Sequence, residues 1–388
     1  MIFATMPAQA QTFTVLHNFA GSDGSFPYAG LTMDQRGNLY GTTAYGGHTG
    51  GNCGTSGCGT VFELKREGSG WILDTLYTFT GPDGNSPEAR VIFGPDGNLY
   101  GTTTYGGTAD QGTVLKLSPP PSACKSALCP WRETILYSFQ GGSDAEQPQL
   151  GDLVFDQQGN IYGATPYGGD QSNLCYQSCG AVYELTPSSG GWTESLLYRF
   201  TGGNDGADPF AGPILDSAGN LYGTTAYGGS TYLGVVYQLA PSGSGWTQNV
   251  IYTFPYFGQP YGGLISDQAG NLYGVVADMD SNPDPVYELT PTNGGWTYNQ
   301  LYSLSSYVGS MAKLAMDSSG RLYGTTLLGG PEVFQLTFSN GQWIQTGFSG
   351  SAGYYPYGNV ILDAGGNVYG TASEGGTHND GVVFEITP

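Results

Sequence analysis

Apolar positions along this chain come in short runs, and each run is followed by a turn. GLTMD (30–34) leads into DQRGN and then LYGTT; GTVFEL (59–64) and WILDTLYTF (71–79) follow. Each run is rich in Leu, Val, Tyr, Phe and Thr and is bounded by Gly, Asn or Asp, which predicts a strand rather than a helix. The turn reads as a hairpin, with Asp as its capping side chain and Gly at the positive-φ position. The set of four runs then recurs. GAVYEL (180–185) and GVVFEI (381–386) repeat the third run, and WTESLLYRF (192–200) repeats the fourth. The motif tyrosines Tyr40, Tyr100, Tyr162, Tyr222, Tyr273, Tyr323 and Tyr369 are spaced by 60, 62, 60, 51, 50 and 46 residues. All six tryptophans, Trp71, Trp131, Trp192, Trp246, Trp296 and Trp343, stand at the head of a fourth run.

Four antiparallel strands repeated seven times predict an all-β chain folded as a seven-bladed β-propeller. The chain ends on a third strand, GVVFEITP, and begins with TFTVLHNF (12–19), which has the pattern of a fourth. The N-terminal strand is therefore expected to complete the last blade and close the ring without an open edge. Residues 12–388 form the single expected domain, and 1–11 lie outside it. Within LYG, both faces of the strand are expected to be buried. Leu39 would point to one neighbouring blade and Tyr40 to the other, with Gly41 leaving room where blades crowd near the axis.

Repeats of the form D-x-x-G-N-L-Y-G-T-T-x-x-G-G, then G-T-V-F-E-L, then W-x-x-x-x-L-Y-x-F, resemble the GloVer tandem repeats of bacterial exported proteins. The resemblance runs over 12–388. It is tight in blades one to four and looser where VVADMD and TTLLGG depart from the pattern. It implies a surface-anchored or secreted propeller and brings no catalytic residues with it. No anchor follows Pro388, so secretion is expected rather than tethering.

Composition narrows the partners. Against 31 Asp and Glu stand only 10 Lys and Arg, a formal charge of −21. Such a field repels a duplex or an anionic membrane, so nucleic acid is set aside. No apolar run is long enough for a membrane helix, so membrane insertion is not expected. Ala8-Gln9-Ala10 fits a leader-peptidase site, which makes the first residues the tail of a signal peptide and predicts a secreted, extracellular or periplasmic protein. The cysteines fall into close pairs, Cys53/Cys58, Cys124/Cys129 and Cys175/Cys179. Three disulfides in an oxidising compartment are expected. Zinc would need four ligands at one point, whereas these pairs fall on different blades.

Candidate chemistry lies in the loops between strands two and three and between blades. Tyr45, Tyr105, Tyr167 and Tyr227 recur at one loop position, with Tyr176 and Tyr232 further along two of the loops. Such a rim suits a polysaccharide or cell-surface glycan, because a ring stacks on the apolar face of a sugar. The plainer reading is loop-on-loop packing. Asp23, Asp83, Asp144 and Asp205 read as turn caps. No cofactor is required. If calcium is bound, the denser stretch at Asp278, Asp280 and Asp284 is the candidate, although it lacks EF-hand spacing. His17 stands where other fourth strands carry Tyr77, Tyr137, Tyr198, Tyr252 and Tyr302, and reads as a structural substitute. His48 and His378 fall in equivalent loops of blades one and seven, with Glu374 and Asp380 beside His378. These four are the candidates for acid–base or metal chemistry, against the plainer reading of a solvated surface. No nucleophile elbow or phosphate-binding glycine loop is present. The expected function is a secreted binding or scaffold propeller that recognises a polysaccharide. The alternatives are a polysaccharide lyase or glycoside hydrolase on the same face, or a self-associating surface or filament protein.

Overall fold

The computed structural model describes residues 11–387, apart from 69, 122–129, 170–173, 176, 244, 256–257, 278–282, 307–310, 328–331, 349 and 351–352. Seven four-stranded antiparallel sheets are arranged as the blades of a propeller. In blade 1 the strands are Thr32–Met33, Leu39–Thr43, Thr60–Glu67 and Gly70–Thr78. Blade 7 combines Ile361–Leu362, Val368–Ala372 and Val382–Thr387 with the N-terminal strand Thr12–Asn18. The two ends of the chain pair from Thr12↔Thr387 to Asn18↔Val382, so the ring is closed as expected.

The core consists of seven clusters, one for each blade interface. In six of them the motif tyrosine of one blade shares its cluster with the tryptophan of the next: Tyr40 with Trp131, Tyr100 with Trp192, Tyr162 with Trp246, Tyr222 with Trp296, Tyr273 with Trp343, and Tyr369 with Trp71. In the seventh, Tyr323 meets Phe13, because the closing strand carries Phe where the others carry Trp. Tyr222 and Trp296 lie 5.9 Å apart edge to face, the arrangement that aromatic quadrupoles favour.

The tyrosine hydroxyl has its own partner, which sequence pattern does not reveal. In six blades it reaches the Asp that opens the preceding hairpin, as in Tyr162–Asp156 at 3.1 Å and Tyr40–Asp34 at 3.4 Å; in blade 2, where Gly94 opens the turn, Tyr100 reaches Asp96 inside the turn at 2.9 Å. In blades 1, 3, 5 and 7 it also meets a third-strand glutamate: Glu63 at 2.7 Å, Glu184 at 3.0 Å, Glu288 at 2.9 Å and Glu385 at 2.8 Å. Asp34 also accepts from the backbone N–H of Arg36 and Asn38 and from the Asn38 amide at 2.8 Å. The D-x-x-G-N turn and the tyrosine two residues beyond it are therefore one hydrogen-bonded unit.

The glycine of LYG serves a different neighbour from the one expected. Gly41 pairs with Phe62 across the same blade, and a Cβ on Gly41 would run into the Phe62 ring. Gly163 with Tyr183, Gly223 with Tyr237, Gly274 with Tyr287, Gly324 with Phe334 and Gly370 with Phe384 repeat this. The third-strand ring folds over bare backbone within its own sheet, so the space is not yielded to the next blade. In blades 3 to 5 that ring is a tyrosine, and the hydroxyls of Tyr183, Tyr237 and Tyr287 are buried without a hydrogen-bond partner.

Two predictions follow from these contacts. Tyr237→Phe removes an unpaired polar atom and is expected to leave the urea midpoint unchanged or raise it, whereas Tyr40→Phe strands buried carboxylates and costs about 1–3 kcal/mol. Equal losses in both variants would refute this assignment of roles. Deleting residues 1–18 is expected to expose Val382–Thr387 to rapid amide hydrogen exchange and to lower Tm. Unchanged protection of that strand would mean that the closing ladder contributes nothing.

Candidate functional site

The loop tyrosines are held by the backbone on both sides. Tyr45 exchanges N–H···O bonds of 2.9 and 3.1 Å with Ser25, Tyr105 exchanges bonds of 2.9 and 3.0 Å with Asn85, and Tyr227 exchanges bonds of 2.8 and 3.0 Å with Ala207. Tyr167 pairs with Glu146 in a two-residue ladder. The second threonine of the motif then clasps the tyrosine carbonyl: Thr43, Thr103, Thr165 and Thr225 each donate to it at 2.8–3.0 Å. The first threonine ties blades together, since Thr42 donates to Ala89 O at 3.1 Å and Thr371 to Ala29 O at 2.7 Å. In blades 1 to 4 the GTT or GAT stretch thus seats one ring per blade on one face. Tyr105 and Tyr227 are 38% and 39% exposed, while Tyr45 and Tyr167 are half-buried.

A second tier of rings lies nearer the axis. Tyr227 and Tyr261 share a hydroxyl–hydroxyl bond of 2.8 Å. Phe210 packs between Tyr167 and Tyr261 at 6.5 and 5.4 Å. On the other side, Tyr28 meets Tyr357 at 5.1 Å, and Phe26 meets Tyr45 at 5.8 Å. Sequence reasoning missed Tyr28, Tyr261 and Tyr357. Their signal was a Pro-aromatic-small triplet: Pro27-Tyr28-Ala29, Pro209-Phe210-Ala211, Pro260-Tyr261-Gly262 and Pro356-Tyr357-Gly358. Except at Gln259, the residues before these and the equivalent prolines take left-handed backbone: Phe26 (φ 55), Ser86 (54), Gln147 (54), Asp208 (56) and Tyr355 (57). Such strain persists only where surroundings over-determine it. Here Asp208 N–H donates to Cys179 O at 2.9 Å and Asp208 O accepts from Ala226 N–H at 3.1 Å.

Two carboxyls sit among these rings with their protons held. Burial pushes Glu88 up to about 7, offset only in part by Thr104. Burial alone pushes Asp208 up to about 7. Glu88 acts electrostatically on Tyr28, Tyr45 and Tyr105, and Asp208 acts on Tyr167 and Tyr261. On the axis a cavity of about 40 Å³ is lined by residues of all seven blades, Glu88, Tyr28, Tyr261 and Tyr357 among them. It has room for about three waters and not for a sugar ring.

The signature of the Gloeobacter/Verrucomicrobia repeat matches residues 1–128 and 127–332. The chain belongs to the Gloeobacter/Verrucomicrobia repeat family. No curated protein matches its sequence. Among solved structures, this repeat protein is similar to a chain of the mitotic checkpoint complex, at 12% identity over 99% of this chain and 96% of that one, with a TM-score of 0.57. It is similar to the extracellular domain of BT4673 from B. thetaiotaomicron at 10% identity, over 96% of this chain, with a TM-score of 0.57. The repeat protein spans only 39% of that chain. A fungal alcohol oxidase of the AA5 family in complex with copper matches at 13% identity, over 97% of this chain and 76% of that one, with a TM-score of 0.55. Identities this low establish a shared propeller fold and nothing finer.

In the Gloeobacter/Verrucomicrobia repeat the other sequence candidates take definite places. Asp23, Asp83, Asp144 and Asp205 cap their turns, accepting from the N–H of Ala20, Thr80, Gln140 and Thr201 at 2.8–2.9 Å. The same carboxylates accept from Tyr77, Tyr137 and Tyr198, and His17 makes the equivalent bond to Asp23 at 2.9 Å. A bulge precedes each of these rings and re-aims it at the cap. His48 is exposed, and His378 is exposed and bonded to the Thr377 hydroxyl at 2.9 Å. Burial raises the pKa of Asp380, with His378 opposing and Asp23 adding to the rise. Glu374 holds the register position that the tyrosines hold in blades 1 to 4 and faces Tyr28 and Tyr357 electrostatically. Among the described residues, no three His, Cys, Asp or Glu side chains gather as a metal ion would require. Asp284 is fully buried in the strand Pro283–Thr292; Asp278 and Asp280 lie outside the described residues, as does Tyr176. Disulfides join Cys53 to Cys58 and Cys175 to Cys179, with Cα atoms 4.9 and 5.4 Å apart. Each closes a loop that carries a site tyrosine, Tyr45 or Tyr167, and contributes about 2 kcal/mol. Cys124 and Cys129 lie outside the described residues. No helix among the described residues is long and apolar enough to cross a membrane.

The raised carboxyls set a pH dependence. Glu88 and Asp208 bind protons more tightly in the folded chain, so their contribution is whole below about 4.5 and is lost as pH rises through about 7. Burial also raises Glu133 and Glu194 to about 7. Tm is therefore expected to fall between pH 5 and pH 8, and less steeply in Glu88→Gln. A flat wild-type profile would contradict the burial argument.

Proposed function

We propose that this chain is a secreted glycan-binding propeller that holds a polysaccharide along the arc of Tyr45, Tyr105, Tyr167 and Tyr227. The observation that carries the reading is the seating of those rings by two backbone bonds and a threonine clasp, one ring per consecutive blade. A row of equivalent rings suits a ligand that is itself a row of equivalent units. Ring faces stack on sugar C–H faces, and the inner hydroxyls and carboxyls bond sugar hydroxyls. Fixed rings lose little entropy on binding. The disulfides support an oxidising compartment.

A second reading is favoured by the burial of Glu88 and Asp208 on this face, which raises both carboxyls to about 7, the range that suits a general acid. In that case the same face cleaves the polymer.

A glycan and cell-wall polymer screen of the full chain tests both readings. Tyr105→Ala and Tyr227→Ala, each replacing a well-exposed ring, are expected to weaken capture about tenfold apiece. Capture that is indifferent to both substitutions would rule out the arc as the site. Product release that is abolished in Glu88→Gln while capture persists would move the assignment from binding to catalysis.

A further inference from the structure

One position of the repeat faces the axis in every blade, two residues after the place held by Tyr28 in blade 1. It carries Gly30, Arg90, Asp152, Gly212, Gly263, Lys313 and Asn359 in blades 1 to 7, all lining the axial cavity. Elsewhere the blades follow one template closely; here they diverge in charge. The chain has only 10 Lys and Arg in all, yet it commits two of them to this narrow space. Arg90 Nη2 and Lys313 Nζ lie 2.8 and 2.7 Å from the same oxygen, Oδ2 of Asp152. One carboxylate thus answers two cations, and the cluster keeps a surplus positive charge. The Arg90 Nε–H is buried with no hydrogen-bond partner. The three side chains are only 15–23% exposed, so solvent screens them weakly.

We infer that the axial cavity is a carboxylate-binding site, and that the ligand of the tyrosine face is a uronate-bearing, acidic glycan whose carboxylate enters it. The inference rests on the glycan reading above and adds the chemical class. The cavity volume of about 40 Å³ fits a planar carboxylate and excludes a sugar ring, so the sugar remains outside among the rings. Glycine in blades 4 and 5 adds no side chain to the cavity and lets its neighbours close in, since a Cβ on Gly212 would run into the Asp152 backbone and one on Gly263 would touch Ala211 and Lys313; Arg90 and Lys313 supply charge-assisted donors. Burial alone would raise Asp152, but Arg90 and Lys313 reverse this and hold it at about 2, so it stays ionised and offers the ligand no donor of its own. The overall charge of −21 repels anions at long range. At physiological salt that field is screened beyond about 8 Å, leaving the contact charges to decide.

The competing account is a strut: Lys313 of blade 6 reaches Asp152 of blade 3 across the axis and merely braces the ring. Calorimetric titration of the full chain with D-glucuronate and with its methyl ester, in physiological salt, separates the two accounts. Glucuronate is expected to bind and the ester to bind on the order of tenfold more weakly. Lys313→Met leaves Asp152 paired with Arg90 and is expected to abolish the preference for the acid; Asp152→Asn doubles the surplus charge and is expected to strengthen it, with circular dichroism checking that each variant folds. Lack of glucuronate binding, or equal binding of acid and ester, overturns the inference. So does a preference that is unchanged in a folded Lys313→Met variant with a lowered Tm. Glycan capture by the tyrosine arc without acid preference would overturn this inference alone, and axial glucuronate binding in a chain that captures no glycan would overturn the earlier reading alone.

Discussion

The ring depends on one kind of aromatic packing repeated at the blade interfaces, in which the motif tyrosine of one sheet shares a cluster with the tryptophan of the next. Tyr162 and Trp246, for instance, lie 6.2 Å apart edge to face. Seven such wedges set the angle between sheets, and Phe13 takes the tryptophan's part at Tyr323, where the chain closes. The wedge tyrosine is fixed at its other end by a carboxylate. Asp34 and its equivalents gather the turn N–H groups, the Asn amide and the phenol on one side chain. Local turn chemistry and long-range packing therefore share a residue, and the repeat specifies both together.

The same economy builds the loop face. The residues that follow LYG bind blade to blade through the first threonine and fix a tyrosine carbonyl through the second. Strained residues ahead of the prolines, such as Phe26 and Asp208, are held because both their backbone groups are bonded. The backbone that seats these described residues is fully bonded without a ligand, so binding would not have to order it.

Seven similar blades make a symmetric frame, and specificity needs asymmetry. Among the described residues it includes the arc of tyrosines in blades 1 to 4, Glu374 at the same register position in blade 7, the carboxyls Glu88 and Asp208, and the Arg90–Asp152–Lys313 cluster on the axis. Each departs in side chain from a backbone that stays regular. A regular frame can carry such changes because the wedges, not the loops, hold the ring together.

Strand count, blade number, ring closure and the pairing of Cys53 with Cys58 and of Cys175 with Cys179 were determined by the sequence itself. These rest on periodicity and on contacts between neighbours in the chain, which a repeated pattern displays directly. The loop tyrosines Tyr45, Tyr105, Tyr167 and Tyr227 were visible for the same reason. What the tertiary structure decided is which side chains meet, within a blade and across the ring. Gly41 makes room for Phe62 in its own sheet and not for the neighbouring blade. Tyr28, Tyr261 and Tyr357 join the tyrosine face, and Arg90, Asp152 and Lys313, 62 and 161 residues apart in sequence, meet at one oxygen. Closing a ring brings the same position of every blade to the axis. A residue that breaks the repeat there looks incidental in the linear sequence and becomes a site only when its counterparts surround it.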